Sequence, residues 1–213
     1  MTFSIVARDP KTGAFGVATA TAGPMVGALV PHTRQGFGAA ATQAMTNPYL
    51  AIDALGALND LGAEQALHHA LTKDDKADLR QVIIVDLDGS AVGWTGGQCI
   101  GFAGHLLGEG VAVAGNMLTG EAVLADMMDA YRDILAKSSF AAALFAALRA
   151  GAEAGGDKRG LGSVALRVHH GQAFPEIDLR VDMSDAPLAS LEALLEQATH
   201  GGYADFFGTV PRR

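Results

Sequence analysis

The second residue of the chain is a threonine, small enough for methionine aminopeptidase to act before it, so Met1 is expected to be removed. Mature Thr2 would then carry a hydroxyl and a free α-amine on one residue. An α-amine titrates near about 7.7–8.0, so at neutral pH it can take the proton of a neighbouring hydroxyl. A threonine activated by its own terminal amine is a known nucleophile arrangement for acyl transfer. The plainer alternative is a threonine that only begins a strand. Ser4 lies two residues on, and strand side chains alternate, so it faces the same side as Thr2 and either orients it or packs the strand.

Other reactive side chains fit weaker patterns. Cys99 and His105 can be drawn as a thiol and its base, but a lone cysteine reads first as a small buried apolar residue. His105, flanked by Gly104 and Leu106, reads as a structural hydrogen-bond partner or a substrate contact. His68-His69 and His169-His170 are adjacent pairs, and adjacent side chains diverge in a helix or a strand. Neither His-Glu-x-x-His nor Cys-x-x-Cys occurs, so no metal or other cofactor is expected. Asp157 and Arg159 sit among glycines, as a solvated loop pair or as site residues that the glycines bring close to backbone or ligand.

These groups need elements to position them. Phe3 to Ala7 and Phe15 to Ala20 are apolar runs flanking Asp9-Pro-Lys-Thr-Gly13, which predicts a hairpin. Val26 to His32 and Gly36 to Ala44 read as two more strands, four within the first 44 residues. Gly36-x-Gly38-x-x-Ala41 matches a dinucleotide fingerprint superficially; the polar segment before it and Asn47-Pro48 after it argue against one. From Tyr49 to Leu71, apolar spacings of three and four predict helix, broken near Gly62, and Lys73 to Asp78 reads as a charged turn. Gln81 to Asp86 reads as a strand buried on both faces, and Asp88-Gly89 turns it into a strand through Trp94.

Gly96 to Gly110 is glycine-rich and contains Cys99 and His105, and a strand over Gly110 to Gly115 follows. Leu124, Met127, Met128, Tyr131 and Leu135 mark a long helix starting near Glu121, and Phe140 to Ala152 a second. After the loop Glu153 to Ser163 come strands over Val164 to His169 and Ile177 to Met183. Asp185 is expected to cap a last helix carrying Leu188, Leu191, Leu194 and Leu195, and the tail from Thr199 shows no period. Blocks of strands and helices, not a βα alternation, make the class α+β, with residues 1–213 as a single domain.

The 213 residues are 49% hydrophobic and 18% charged, enough for a sizeable core. The net charge of −8 and the absence of a basic run argue against nucleic acid and anionic membrane as partners. The start lacks the basic and apolar regions of a signal peptide, no apolar run is long enough to span a membrane, and one cysteine permits no internal disulfide. A cytoplasmic protein is expected.

Five segments in order, Ser4-Ile-Val-Ala-Arg-Asp-Pro10, Ala103-Gly-His105, Gly115-Asn-Met-Leu118, Gly156-Asp-Lys-Arg-Gly160 with Ser163-Val-Ala-Leu166, and Ile177-Asp-Leu-Arg-Val-Asp182, resemble DUF1028. That bacterial family of unknown function is assigned to the N-terminal-nucleophile (Ntn) hydrolase superfamily. The resemblance runs from Thr2 to about Leu195 and implies a four-layer αββα sandwich, two stacked sheets with helices on both outer sides. It implies that Thr2 is the nucleophile and that Asn116, between a strand and a long helix, stands beside it, although Asn116 can equally cap that helix. It implies that Asp157, Arg159 and Ser163 form the loop that holds the terminal amine and hydroxyl, and that Thr42 and Gln43 belong to the region supplying an oxyanion-hole N–H.

The chain departs from the family pattern at Thr21-Ala-Gly-Pro-Met25, where an aromatic with His or Arg is common, at Gly162, where Gln is common, and at Met183-Ser184, where an Asp-His pair is common. The expected function is an amidohydrolase of a small amide, with Thr2, Asn116, Asp157 and Ser163 catalytic and Ser4, Thr42, Gln43, His105 and Arg159 at the substrate. The alternative is a catalytically silent Ntn fold that binds a small molecule or serves an oligomer. Self-association as a homodimer or higher homo-oligomer is expected of such sheet sandwiches.

Overall fold

A computed structural model describes residues 2–156 and 159–213. Two antiparallel sheets and seven α-helices form among them, so the class is α+β. The six-stranded sheet has the order β10-β9-β2-β1-β8-β7, built from β1 (Thr2–Arg8), β2 (Phe15–Thr21), β7 (Phe102–Gly108), β8 (Val111–Leu118), β9 (Ser163–His169) and β10 (Ile177–Val181). The four-stranded sheet has the order β3-β4-β5-β6, from β3 (Pro31–Arg34), β4 (Gly38–Ala44), β5 (Arg80–Asp86) and β6 (Ala91–Thr95). No helix among the described residues is long and apolar enough to cross a membrane.

Local chemistry explains most boundaries. Asp9 closes the β1–β2 turn, accepting from the Lys11 N–H at 3.0 Å and the Thr12 hydroxyl at 2.6 Å. Helix α2 (Pro48–Ala57) begins with Asn47 accepting from the Tyr49 N–H and Pro48 in the first turn, where a missing N–H costs nothing. Gly62 separates it from α3 (Ala63–Leu71), as expected. Helix α4 (Ala122–Leu135) and α5 (Phe140–Glu153) follow the predicted apolar stripes, and Ser139 caps the second by accepting from the Ala142 N–H.

Alternation along the strands sorts side chains into three apolar clusters. Phe3 and Ile5 of β1 pack with Leu124 and Met127 of α4, Leu144 and Leu148 of α5, and Leu191 of α6 (Pro187–Thr199). Val6, Val17 and Ala114 of the larger sheet meet Ala39, Ala41, Ile83 and Val85 of the smaller one. Ala40, Val82 and Ile84, on the other face of β4 and β5, pack with Leu50 and Leu55 of α2 and Leu67 of α3. Each fully buried Leu, Ile or Phe contributes roughly 1.5–3 kcal/mol.

Two local expectations are corrected, and two segments without an assignment form elements. Val26 to His32 is not one strand: a helical turn, α1 (Val26–Leu29), precedes β3. The turn packs closely on β9, where a Cβ on Gly27 would stand 2.8 Å from Ala165 Cβ. The glycine-rich segment before Gly110, to which the sequence assigns no element, contains β7, whose ladder with β8 overrides low strand propensity. Asp185 does not cap α6; Ala186 occupies the cap position, and its N–H donates to Ser184 Oγ at 3.1 Å. The tail holds α7 (Gly201–Gly208), which buries no residue and so carries no apolar period to read.

Candidate active site

Strand β1 runs between β2 and β8, so its first residue meets a partner on each side. Thr2 pairs with Thr21 of β2 and with Asn116 of β8, and Thr21 pairs with Ser163 of β9. Ser163, Thr21, Thr2 and Asn116 therefore form one row across four adjacent strands, facing the same side because paired residues share a face. The hydroxyls of Thr2 and Thr21 bond at 3.1 Å. Ser163 donates its hydroxyl to the Gly23 carbonyl at 2.6 Å and accepts from the Val26 N–H at 3.1 Å, pinning the turn that leaves β2. Thr2 is only 9% exposed.

One step inward lies a second polar layer. Ser4 donates to Gln43 Oε1 at 2.5 Å and lies 2.8 Å from Thr19 Oγ1. Gln43 Nε2 donates to Gln81 Oε1 at 2.8 Å and to the Thr2 carbonyl at 3.3 Å. Asn116 Nδ2 donates to the same Gln81 oxygen at 3.2 Å. Gln81 Nε2 lies 2.9 Å from the carbonyls of Gly104 and Gly115 and from Thr95 Oγ1. Thr95 in turn lies 2.9 Å from His105 Nδ1. The imidazole covers Gly93, where a Cβ would approach its Cδ2 to 2.6 Å, and burial pushes the His105 pKa below its usual value.

The model of DUF1028, a family of unknown function, matches residues 2–191. The chain belongs to DUF1028. A DUF1028 protein of known crystal structure, from Silicibacter pomeroyi, is 35% identical with a TM-score of 0.92 over 99% of this chain and 92% of that one. Anbu, an ancestral β-subunit from Yersinia bercovieri, is similar at a TM-score of 0.41 and 11% identity over 99% of each chain. No curated protein matches.

In this DUF1028 chain the structure brings together Thr2, Ser4, Gln43, Asn116 and Ser163, and it reaches His105 through Gln81 and Thr95. Asn116 does not cap a helix: it lies within β8, and Glu121 holds the cap position of α4. Thr42 faces the other way from Gln43; its hydroxyl donates to the Asn47 carbonyl at 3.1 Å and its N–H to the Val30 carbonyl at 3.2 Å. Arg159 stands exposed, and Asp157, like Met1, lies outside the described residues. Cys99 Sγ reaches the Arg80 carbonyl at 3.4 Å while His105 bonds Thr95, so the two are engaged separately, and burial raises the thiol pKa.

Gln81 and Thr95 are the residues the sequence reading passed over. Gln81 shares the face of Ile83 and Val85 within a buried strand, and a glutamine on such a face must find partners. Gly162, one of the departures from the family pattern, has a physical reason here: a Cβ would stand 2.3 Å from the Ala22 carbonyl oxygen.

Proposed function

We propose that this DUF1028 chain is an N-terminal-nucleophile amidohydrolase of a small amide, with Thr2 as the nucleophile once Met1 is removed. The observation that carries the reading is the in-register row Ser163, Thr21, Thr2, Asn116 at the end of the central strand. The three apolar clusters support a four-layer αββα arrangement, a single domain in which Thr2 opens a strand facing the smaller sheet.

The Thr2 hydroxyl attacks the amide carbonyl, and its proton passes to the α-amine directly or through one water. The tetrahedral oxyanion is held by backbone N–H groups and by Asn116. Collapse breaks the C–N bond, the amine returns the proton to the leaving nitrogen, and an ester to Thr2 Oγ1 remains. Water, deprotonated by the same amine, attacks the ester, the bond to Thr2 Oγ1 breaks, and the amine returns the proton to Oγ1 as the acid leaves. Ser163 spends its one hydroxyl proton on the Gly23 carbonyl, so it meets the Thr2 amine only as an acceptor and through the turn it pins. Asp157 completes the proposed set.

The burial of Thr2 supports a second reading, a silent fold that keeps the row for packing and binds a small molecule elsewhere. Intact mass of untagged protein, before and after treatment with a panel of small β-lactones, separates the two. The expected result is a mass short by one methionine, followed by gain of one whole lactone as an ester on Thr2, absent in Thr2→Ala. Asn116→Ala is expected to slow labelling by about 10²–10³-fold, as loss of an oxyanion donor does. Retention of Met1, or equal labelling of Thr2→Ala, overturns the nucleophile assignment.

A further inference from the structure

We propose that Gln81, at the head of β5, is a positioning residue for the Thr2 site. The inference rests on the reading of Thr2 as nucleophile and adds what sets the geometry around it. Backbone carbonyls accept and never donate, so the end of the Gln81 side chain that lies 2.9 Å from the carbonyls of Gly104 and Gly115 is its nitrogen. Its oxygen therefore faces the other way, toward Gln43 and Asn116, and both must present N–H to it. The Thr2 carbonyl, also only an acceptor, independently requires the Gln43 nitrogen on that side. Two unrelated backbone anchors thus fix one direction for the whole chain of amides.

The consequence reaches the site at two points. Asn116 has one N–H committed inward to Gln81, which leaves its Oδ1 and second N–H outside the network and stops the amide from flipping. Gln43, held by Gln81 and Ser4, carries the carbonyl of Thr2 itself. Gln43 and Gln81 are fully buried and Asn116 nearly so, hence water cannot substitute for a lost partner without entering the interior. Gln81 touches no reacting atom; it acts through Asn116 and Gln43.

The test is the rate of β-lactone labelling at Thr2 in Gln81→Met, in Gln81→Glu, which keeps the shape but turns the donor end into an acceptor, in Asn116→Ala and in Gln81→Met/Asn116→Ala. Misplacement by about 1 Å costs on the order of 10²-fold in rate, so labelling is expected to fall at least about tenfold in each Gln81 variant. In the Asn116→Ala background, Gln81→Met is expected to cost distinctly less, because part of its route is already cut. A merely structural role multiplies the two effects in full, and that result overturns the proposal, as does wild-type labelling in both Gln81 variants. Should the variants not fold, side-chain amide hydrogen exchange of the wild type decides: the amides of Gln43, Gln81 and Asn116 are expected to be protected, and free exchange at Gln81 overturns the assignment. Absence of labelling in the wild type overturns the nucleophile reading and the positioning role with it, whereas a labelled wild type with unaffected Gln81 variants overturns the positioning role alone.

Discussion

Replacing Gln43 with leucine keeps the size of the side chain and removes every polar bond it makes. Ser4 loses the acceptor at 2.5 Å, Gln81 Oε1 the donor at 2.8 Å and the Thr2 carbonyl the donor at 3.3 Å. Two of the three keep a neighbour, since Thr19 stays 2.8 Å from Ser4 and Asn116 still reaches Gln81 at 3.2 Å. A buried polar group left without a partner costs roughly 1–3 kcal/mol, and one with a remaining partner less, so Gln43→Leu should destabilise by about 2–4 kcal/mol. Ser4→Ala orphans only Gln43 Oε1 and should cost about 1–3 kcal/mol. In the double variant Gln43 Oε1 is no longer there to be orphaned by Ser4→Ala, so the two losses should fall short of their sum by about 1–2 kcal/mol. Urea unfolding of the four proteins, followed by circular dichroism and fluorescence with coincident transitions, gives each value. Losses that add to within about 0.5 kcal/mol would mean that the two side chains do not share a bond, and the network would have to be redrawn.

Two further outcomes test neighbouring parts of the structure. Gly162→Ala sets a Cβ 2.3 Å from the Ala22 carbonyl oxygen, beside the bond from the Gly162 N–H to the Thr21 carbonyl, and should cost about 1–3 kcal/mol in urea and slow Thr2 labelling; an unchanged midpoint would contradict the close approach. Asp74, bonded first by Arg80 and then by Asn47 and the Lys76 N–H, has its pKa lowered from 3.8 to about 2. A carboxylate depressed on folding contributes stability above its unfolded pKa and loses it as pH falls through the folded one, so the loss should run from about pH 4 down to about pH 2. With partial contact with solvent counted, the shift corresponds to roughly 1–2 kcal/mol. Urea midpoints at pH 5 and pH 3 should converge for wild type and Asp74→Asn as the pH drops.

The elements legible in the sequence were those whose own side chains bury. Phe3, Ile5 and Ala7 alternate with Ser4 and Val6 because β1 has two apolar neighbours, and the Leu124 to Leu135 stripe lies against one cluster. Elements stabilised by something outside themselves were not legible: β7 is held by its ladder to β8 across Gly104 and Gly108, and α7 has no buried face at all. The site shows the same division. Ser4 beside Thr2 follows from strand period alone, and Asn116 was placed from resemblance. Gln81 carries no motif; its partners lie on β4, β6, β7 and β8, distant in sequence, and only the register of two sheets brings them to one amide.

Backbone conformation marks the same end of the sheets. Among the described residues three non-glycines have positive φ: Met25 at 61°, Ala44 at 70° and Met117 at 56°. Ala44 directly follows Gln43, Met117 directly follows Asn116, and Met25 directly precedes Val26, whose N–H donates to Ser163. A left-handed conformation costs an L-residue roughly 1–2 kcal/mol and persists only where surrounding bonds impose it. Those bonds are present: the Met25 N–H donates to the Asp182 carbonyl and the Met117 N–H to the Ile100 carbonyl, both at 2.9 Å, and the Met45 N–H after Ala44 donates to the Leu79 carbonyl at 3.2 Å. Ala44 and Met117 each follow a side chain of the Thr2 row or its supporting network, and Met25 adjoins the turn that Ser163 pins. Ala44 ends β4, Met117 lies within β8 and Met25 precedes α1, so backbone strain gathers in three separate elements beside the residues proposed here as the site.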